Sequence, residues 1–208
     1  MTPRPPDDVH VAAPPFGAER LLLVGTGAVQ VALLPTWINW LRVSYPELDV
    51  RIVVTRSAER FVSRTALSAI GGTEVLLDTW PEDPNAGALH MELAEWADAV
   101  AVYPATVHFV SRFALGLTDT PVQLALQCTR APIAVAPALP PGCRDNPVLT
   151  GHLQSLATRP NITVIPTVTG RSVSTDRPDG ASPPPLPVVL DRLERLRRDC
   201  VPARGDAA

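Results

Sequence analysis

Lysine is absent from this 208-residue chain: all 18 basic side chains are arginine, set against 21 acidic ones. The formal net charge of −3 gives no general attraction to nucleic acid or to an anionic membrane. Arginine-only basicity combined with 24 prolines points to a GC-rich coding sequence before it points to chemistry. Cysteine is scarce too. Cys128, Cys143 and Cys200 have no paired spacing, which argues against a zinc site or a disulfide framework. No His/Cys/Asp/Glu group has metal-ligand spacing, and no Gly-x-Ser-x-Gly elbow supports serine hydrolysis. No apolar run approaches the roughly 18 residues of a membrane span. The start Met-Thr-Pro-Arg-Pro-Pro-Asp-Asp lacks the apolar core of a signal peptide. A cytoplasmic location is expected, without metal, membrane or nucleic-acid partners.

An apolar fraction of 46% over this length suits one domain with a real core. Continuous apolar runs that read as strands (Arg20 to Val24, Val50 to Thr55, Glu74 to Leu77, Ala99 to Tyr103, Ile133 to Ala136, Ile162 to Ile165) alternate with helical stretches. The helices are expected over Val29 to Val43, Ala58 to Ile70, His90 to Trp96, Phe109 to Gly116, Pro121 to Cys128 and Asn146 to Ala157. Within the first of these, Pro35 must kink the helix or mark a late start. Such alternation is the signature of an α/β domain whose parallel sheet is covered on both faces. The expected organisation is a disordered arm over 1–18, the domain over 19–200 and a disordered tail over 201–208. The polar, proline-rich stretch 166–187 reads either as a linker to the last helix, Leu186 to Arg198, or as a mobile substrate flap.

Gly25-Thr26-Gly27 follows a strand and opens a helix, a natural phosphate site because free backbone N–H groups meet the positive helix end there. It lacks the third glycine of a dinucleotide fingerprint, and a tight turn without ligand would have the same sequence. Thr55-Arg56-Ser57-Ala58 repeats the arrangement after the next strand, which favours a mononucleotide phosphate. His90 stands just ahead of the Ala99–Tyr103 run, and a Pro104-Ala105-Thr106 turn is expected at that strand's C-terminal end, where open α/β sheets bind ligands. His108 lies one turn beyond. Alone, His90 reads as readily as a structural residue. His10 falls in the expected arm and His152 on an expected surface face, and Trp37 and Trp40 share a helix face suited to core or subunit contact.

Taken together, these motifs resemble the homo-oligomeric flavin-containing cysteine decarboxylases, over about Leu21 to Ile165. The family includes phosphopantothenoylcysteine decarboxylase and the enzymes that decarboxylate the C-terminal cysteine of lantibiotic precursor peptides. The resemblance is carried by Gly25-Thr26-Gly27-Ala28, by Thr55-Arg56-Ser57-Ala58-Glu59-Arg60-Phe61, and by His90-Met91-Glu92-Leu93-Ala94-Glu95-Trp96-Ala97-Asp98. Pro104-Ala105-Thr106, with Gly116 and Asp119 after it, and Ala131-Pro132-Ile133-Ala134-Val135-Ala136-Pro137-Ala138 complete it. His90 stands fourteen residues before Pro104 in that company.

The resemblance implies a Rossmann-like (flavodoxin-like) fold and FMN as cofactor. Gly25, Thr26, Gly27, Ala28, Ser57 and Phe61 would bind it, with its ring near Pro104, Ala105 and Thr106. It implies a homotrimer with the flavin between subunits, dodecamers of four trimers being known among relatives, and His90 as acid/base facing the flavin from a neighbour. The implied chemistry oxidises the cysteine Cβ–S unit, so that the resulting thioaldehyde delocalises the carbanion left as CO₂ departs. An imidazole near pKa 6.5 suits the proton transfers.

Two departures from the family pattern matter. The family's Pro-x-Met-Asn-x-x-Met-Trp motif falls on Pro137 to Arg144, so Pro140 replaces the asparagine that grips the substrate carboxylate. Arg144 or Asn146 would then take that role, with Leu139, Pro140 and His108 also lining the substrate side. His108 itself replaces a second motif asparagine. The stretch 166–187 also lacks the flap cysteine of the coenzyme A branch. This favours release of an enethiol by a peptidyl-cysteine decarboxylase, toward an aminovinyl-cysteine ring, with a precursor peptide as substrate and a lanthipeptide synthetase as a further partner. A phosphopantothenoylcysteine decarboxylase and a non-catalytic flavin-binding regulator are the alternatives.

Overall fold

The computed structural model describes residues 12–83, 87–170, 176 and 179–200. The expected tail over 201–208, the first eleven residues of the expected arm with His10, and parts of the stretch 166–187 lie outside them. Six strands form one parallel sheet: β1 Arg20–Gly25, β2 Asp49–Val54, β3 Val75–Leu77, β4 Ala99–Thr106, β5 Ile133–Ala138 and β6 Ile162–Val164. Their order is β3-β2-β1-β4-β5-β6. β1 is the centre, with Leu21 beside Val50 on one flank and Ala99 on the other. The strand order reverses between β1 and β4, which opens a crevice at their C-terminal ends.

Side-chain alternation divides the sheet into two cores. Leu21, Leu23, Ala99 and Ala101 face α1 (Leu34–Ser44), α2 (Arg64–Gly71) and α7 (Leu186–Cys200). Leu22, Val24, Val100 and Val102 face the other way. There they meet α3 (Leu89–Trp96), α4 (Val107–Ala114), α5 (Pro121–Cys128) and α6 (Pro147–Ala157). Leu21 to Val24 are at most 1% exposed, and each such aliphatic side chain stabilises the fold by about 1.5–3 kcal/mol relative to exposure.

Helix starts follow local chemistry. A 3₁₀ turn over Val29–Leu33 precedes α1, which begins late because Pro35 suits only a first turn. The helix expected over Ala58 to Ile70 is two pieces, a 3₁₀ turn Ala58–Arg60 and then α2, because the Ser63 side chain caps a new start by accepting from Ala66 N–H. Thr106 and Thr120 cap α4 and α5 in the same way. The Pro104-Ala105-Thr106 stretch is not a turn after the strand. It continues β4, with a register shift against β5 between Val102 and Ala105 and a cis Tyr103–Pro104 bond.

Residues 12–18, expected to belong to a disordered arm, pack on the domain. Phe16 lies against the α1/α7 core, the Tyr45 hydroxyl donates to Pro14 O at 2.7 Å, and Gly17 N–H donates to the Glu194 carboxylate at 3.1 Å. The stretch 166–187 contains two short strands, β7 Val168–Gly170 and β8 Gly180–Ser182, paired antiparallel. Trp37 and Trp40 contact each other edge-to-face at 6.0 Å and pack against the protein's own core. His152, expected on a surface face, is half-buried and hydrogen-bonds the Ser111 hydroxyl at 3.0 Å, tying α6 to α4. Among the described residues no helix is long and apolar enough to cross a membrane, and no cluster of side chains suits a metal ion.

Candidate active site

Thr26 stitches the two strands that flank the crevice. Its hydroxyl donates to Pro104 O at 2.7 Å and accepts from Thr106 N–H at 2.8 Å, while its own N–H donates to Pro104 O at 3.2 Å. The side chain is 1% exposed, so it shapes the floor of the site rather than presenting a hydroxyl to a ligand. Gly25 sits beneath, where a Cβ would stand 2.7 Å from Leu34 Cδ1, and so it permits the close approach of α1 to the sheet. At Gly27 a Cβ would overlap the Ser57 side chain and lie 2.9 Å from its backbone carbonyl carbon. The two hydroxyl-bearing loops after β1 and β2 therefore touch. Ser57 Oγ lies 3.1 Å from Thr55 Oγ1 and remains exposed.

A cleft of about 800 Å³ opens over this floor. Gly27, Ala28, Ser57 and Phe61 form one side, Thr106, Val107 and His108 the base, and Leu139 and Pro140 the far wall. Because α4 starts at the cleft, its first-turn N–H groups and positive dipole end face an incoming anion. Phe61 is 44% exposed, an aromatic face left open at the rim. A phosphate beside Ser57 and the α4 start, with a flat apolar ring against Phe61 and the Leu139 wall, fits these donors and surfaces.

The β7–β8 hairpin, within the stretch that reads from sequence as a linker or a substrate flap, borders the cleft. Leu139 N–H donates to Ala181 O at 2.8 Å, Ala181 N–H returns a bond to Leu139 O at 3.3 Å, and Gln30 Nε2 donates to Ser182 Oγ at 3.0 Å. Gly180, Ala181 and Ser182 thus become a wall. A strand of such small residues carries no period-2 apolar pattern, so only its pairing with Leu139 makes it recognisable.

Seven of the expected site residues do not line the cleft: Gly25 and Thr26, which form its floor, and Pro104, Ala105, Asn146, Arg144 and His90. Pro104 and Ala105 lie buried under it, within β4. Asn146 is spent on α6, its side-chain oxygen accepting from Val148 N–H at 2.9 Å and Leu149 N–H at 3.4 Å. Arg144 is exposed and reaches the hairpin, with Nη2 at 3.3 Å from Thr169 Oγ1. His90, which the resemblance has facing the flavin from a neighbour, is also absent from the lining of its own chain's cleft. It sits in the first turn of α3 with its ring 5.6 Å from that of Trp80, whose indole N–H donates to Asp119 O at 2.7 Å. Its Nδ1 is buried without a hydrogen-bond partner.

The flavoprotein family model matches residues 16–192, and the chain belongs to that family. It is 33% identical over 183 residues to a cypemycin cysteine dehydrogenase (decarboxylating) from a Streptomyces species, covering 88% of this chain and 94% of that protein. It is 32% identical over 108 residues to the bifunctional coenzyme A biosynthesis protein of Bacillus subtilis, covering 52% of this chain and 27% of that protein. The crystal structure of the cypemycin decarboxylase CypD superposes with a TM-score of 0.75 at 31% identity, over 90% of this chain and 98% of that one.

Proposed function

We propose that this protein is an FMN-dependent oxidative decarboxylase of the C-terminal cysteine of a ribosomally made precursor peptide. The reading rests on one observation, end-to-end likeness to a cypemycin cysteine dehydrogenase, and a cleft whose lining suits a flavin mononucleotide supports it. When bound, FMN supplies the two-electron oxidation of the cysteine Cβ–S unit that makes loss of CO₂ easy. Ser57, the Gly27 backbone and the start of α4 hold its phosphate, and Phe61 covers its ring. Leu139, Pro140 and the hairpin wall shape the space for the peptide end. His108 stands at the edge of this space, and Arg144 grips the substrate carboxylate after swinging from Thr169.

His90 handles the protons. Since it lies outside its own chain's cleft, it acts in the cleft of a neighbouring subunit, with the trimer as the working assembly. The enethiol product then adds to a dehydroamino acid of the same peptide to close an aminovinyl-cysteine ring, alone or with a lanthipeptide synthetase.

Likeness to the coenzyme A proteins keeps phosphopantothenoylcysteine as a second substrate to be tested. Pro140, in the place of the carboxylate-gripping asparagine, speaks against it. Mass spectrometry of synthetic peptides ending in cysteine, incubated with the yellow protein in air, decides. The expected loss is about 46 Da, CO₂ plus two hydrogens. A loss of about 44 Da from phosphopantothenoylcysteine alone would move the protein to coenzyme A synthesis.

A further inference from the structure

His90 carries the proposed proton transfers, yet little in its own chain fixes the direction of its ring. It stands in the first turn of α3, where Ala88 is the N-cap and no side chain caps the turn. The Nδ1 of a working imidazole commonly meets an orienting carbonyl or carboxylate. Here it has no hydrogen-bond partner among the described residues. A proton-transfer group must nevertheless be held closely, since a misplacement of about 1 Å can cost about a hundredfold in rate. The contact that remains is with Trp80. The two ring centroids lie 5.6 Å apart with their planes at 69°, the edge-to-face arrangement that aromatic pairs favour.

Trp80 follows β3 and is 43% exposed, and it belongs to neither core of the domain. A large apolar ring in such a place adds little to the stability of the fold. It is nonetheless tied down. Its indole N–H donates to Asp119 O at 2.7 Å, and the Asp119 carboxylate accepts from Arg112 Nε of α4 at 2.8 Å. Two residues before Trp80, Asp78 N–H donates to Val54 O at 2.9 Å and Asp78 Oδ1 accepts from Val122 N–H at 3.0 Å. The short segment 78–80 is thus fastened at both ends, to β2 and α5 at Asp78 and to the α4–α5 connection at Trp80. The indole is a fixed surface beside the imidazole.

We propose that Trp80 is a positioning residue for the decarboxylation: anchored on Asp119 O, its indole sets the direction in which the His90 ring points. The inference rests on the reading that His90 handles the protons. The chain has four histidines, so nuclear magnetic resonance of the flavin-loaded protein with isotope-labelled histidine can follow each ring. The His90 signal, assigned by its absence from His90→Asn, is expected to move in Trp80→Ala, which removes the ring current of the indole. Trp80→Phe, which keeps a ring there, is expected to retain most of the displacement. On a synthetic peptide ending in cysteine, Trp80→Ala is expected to lower kcat about ten- to a hundredfold at unchanged KM and flavin content. Trp80→Phe should restore most of that loss. A His90 signal unmoved by Trp80→Ala, or a moved signal with wild-type kcat, overturns the positioning role. So does a loss confined to KM or to flavin content, which would make Trp80 a binding residue. Should Trp80→Ala fail to fold, the wild type decides: nuclear Overhauser contacts between the two rings are expected, and their absence overturns the inference. Full turnover by His90→Asn overturns it together with the reading of His90. An inactive His90→Asn beside a fully active Trp80→Ala overturns it alone.

Discussion

Gly27 and Ser57 approach each other more closely than any side chain at position 27 permits. The contact brings an exposed hydroxyl and a bare backbone together at the start of two helical turns. A Gly27→Asp change would push the β1 and β2 loops apart and place a carboxylate where the phosphate should lie. Purified Gly27→Asp is expected to be colourless, its flavin affinity at least about tenfold lower, or about 1.4 kcal/mol. Circular dichroism should show the fold intact, since residue 27 lies outside the sheet. Unchanged flavin content would remove the phosphate-loop assignment. At this scale residue identity was legible where backbone geometry demanded it: glycines at 25 and 27 mark close approaches. It misled where one side chain has two uses. Asn146 reads equally as a carboxylate ligand and as a helix cap, and the cap takes it. Thr26 reads as a phosphate ligand, yet its hydroxyl is consumed by β4.

Among the elements, α7 fastens the N-terminal segment through one carboxylate. Glu194 is 4% exposed and is bonded by Arg197, Gly17 N–H and Arg198. Burial alone would push its carboxyl up; the hydrogen bonds from Arg197, Gly17 and Arg198 outweigh that and hold it at about 2. A carboxyl lowered in the folded state contributes stability that is complete above its ordinary value and fades as pH falls toward the folded one. The contribution should therefore disappear between about pH 4.5 and about pH 2. Glu194→Gln is expected to lower stability near neutrality by about 1–2 kcal/mol, the solvent-exposed Arg198 contributing little. Thermal melts of both proteins across pH should converge at the acid end; parallel curves would show that the carboxylate matters only by its shape. Strands and helices with apolar periodicity were readable from sequence, including the late start of α1. The hairpin was not, because its glycine, alanine and serine are held by pairing with Leu139, a contact no local pattern encodes.

Considered as a whole molecule, the chain separates what its proposed chemistry needs together. The cleft proposed for the flavin lies at the β1/β4 crevice, while His90 lies outside it on α3. His90→Asn is expected to keep its flavin and lose CO₂ release by about 10²–10⁴-fold. Gly27→Asp keeps His90 but lacks the cofactor. When subunits of the two inactive variants are unfolded and reassembled together, activity should return, about tenfold or more above either parent. Reassembly without recovery, in particles shown by sedimentation to be mixed, would place His90 and the flavin in the same chain.

The strand order has a consequence for how the molecule is made. β1 is synthesised before both of its neighbours, yet it becomes the centre of the sheet, and Leu21 must wait for Ala99. The face above β4 and β5 waits longer still, for α7. At roughly 5–20 residues per second, the ribosome needs roughly 10–40 s to pass from β1 to the end of α7. Until β4 emerges, about the first half of that interval, β1 keeps one unpaired edge, open to chaperones and to the nascent chains beside it. A message truncated within α7 would thus yield not a shortened flavoprotein but a sheet left bare over β4 and β5.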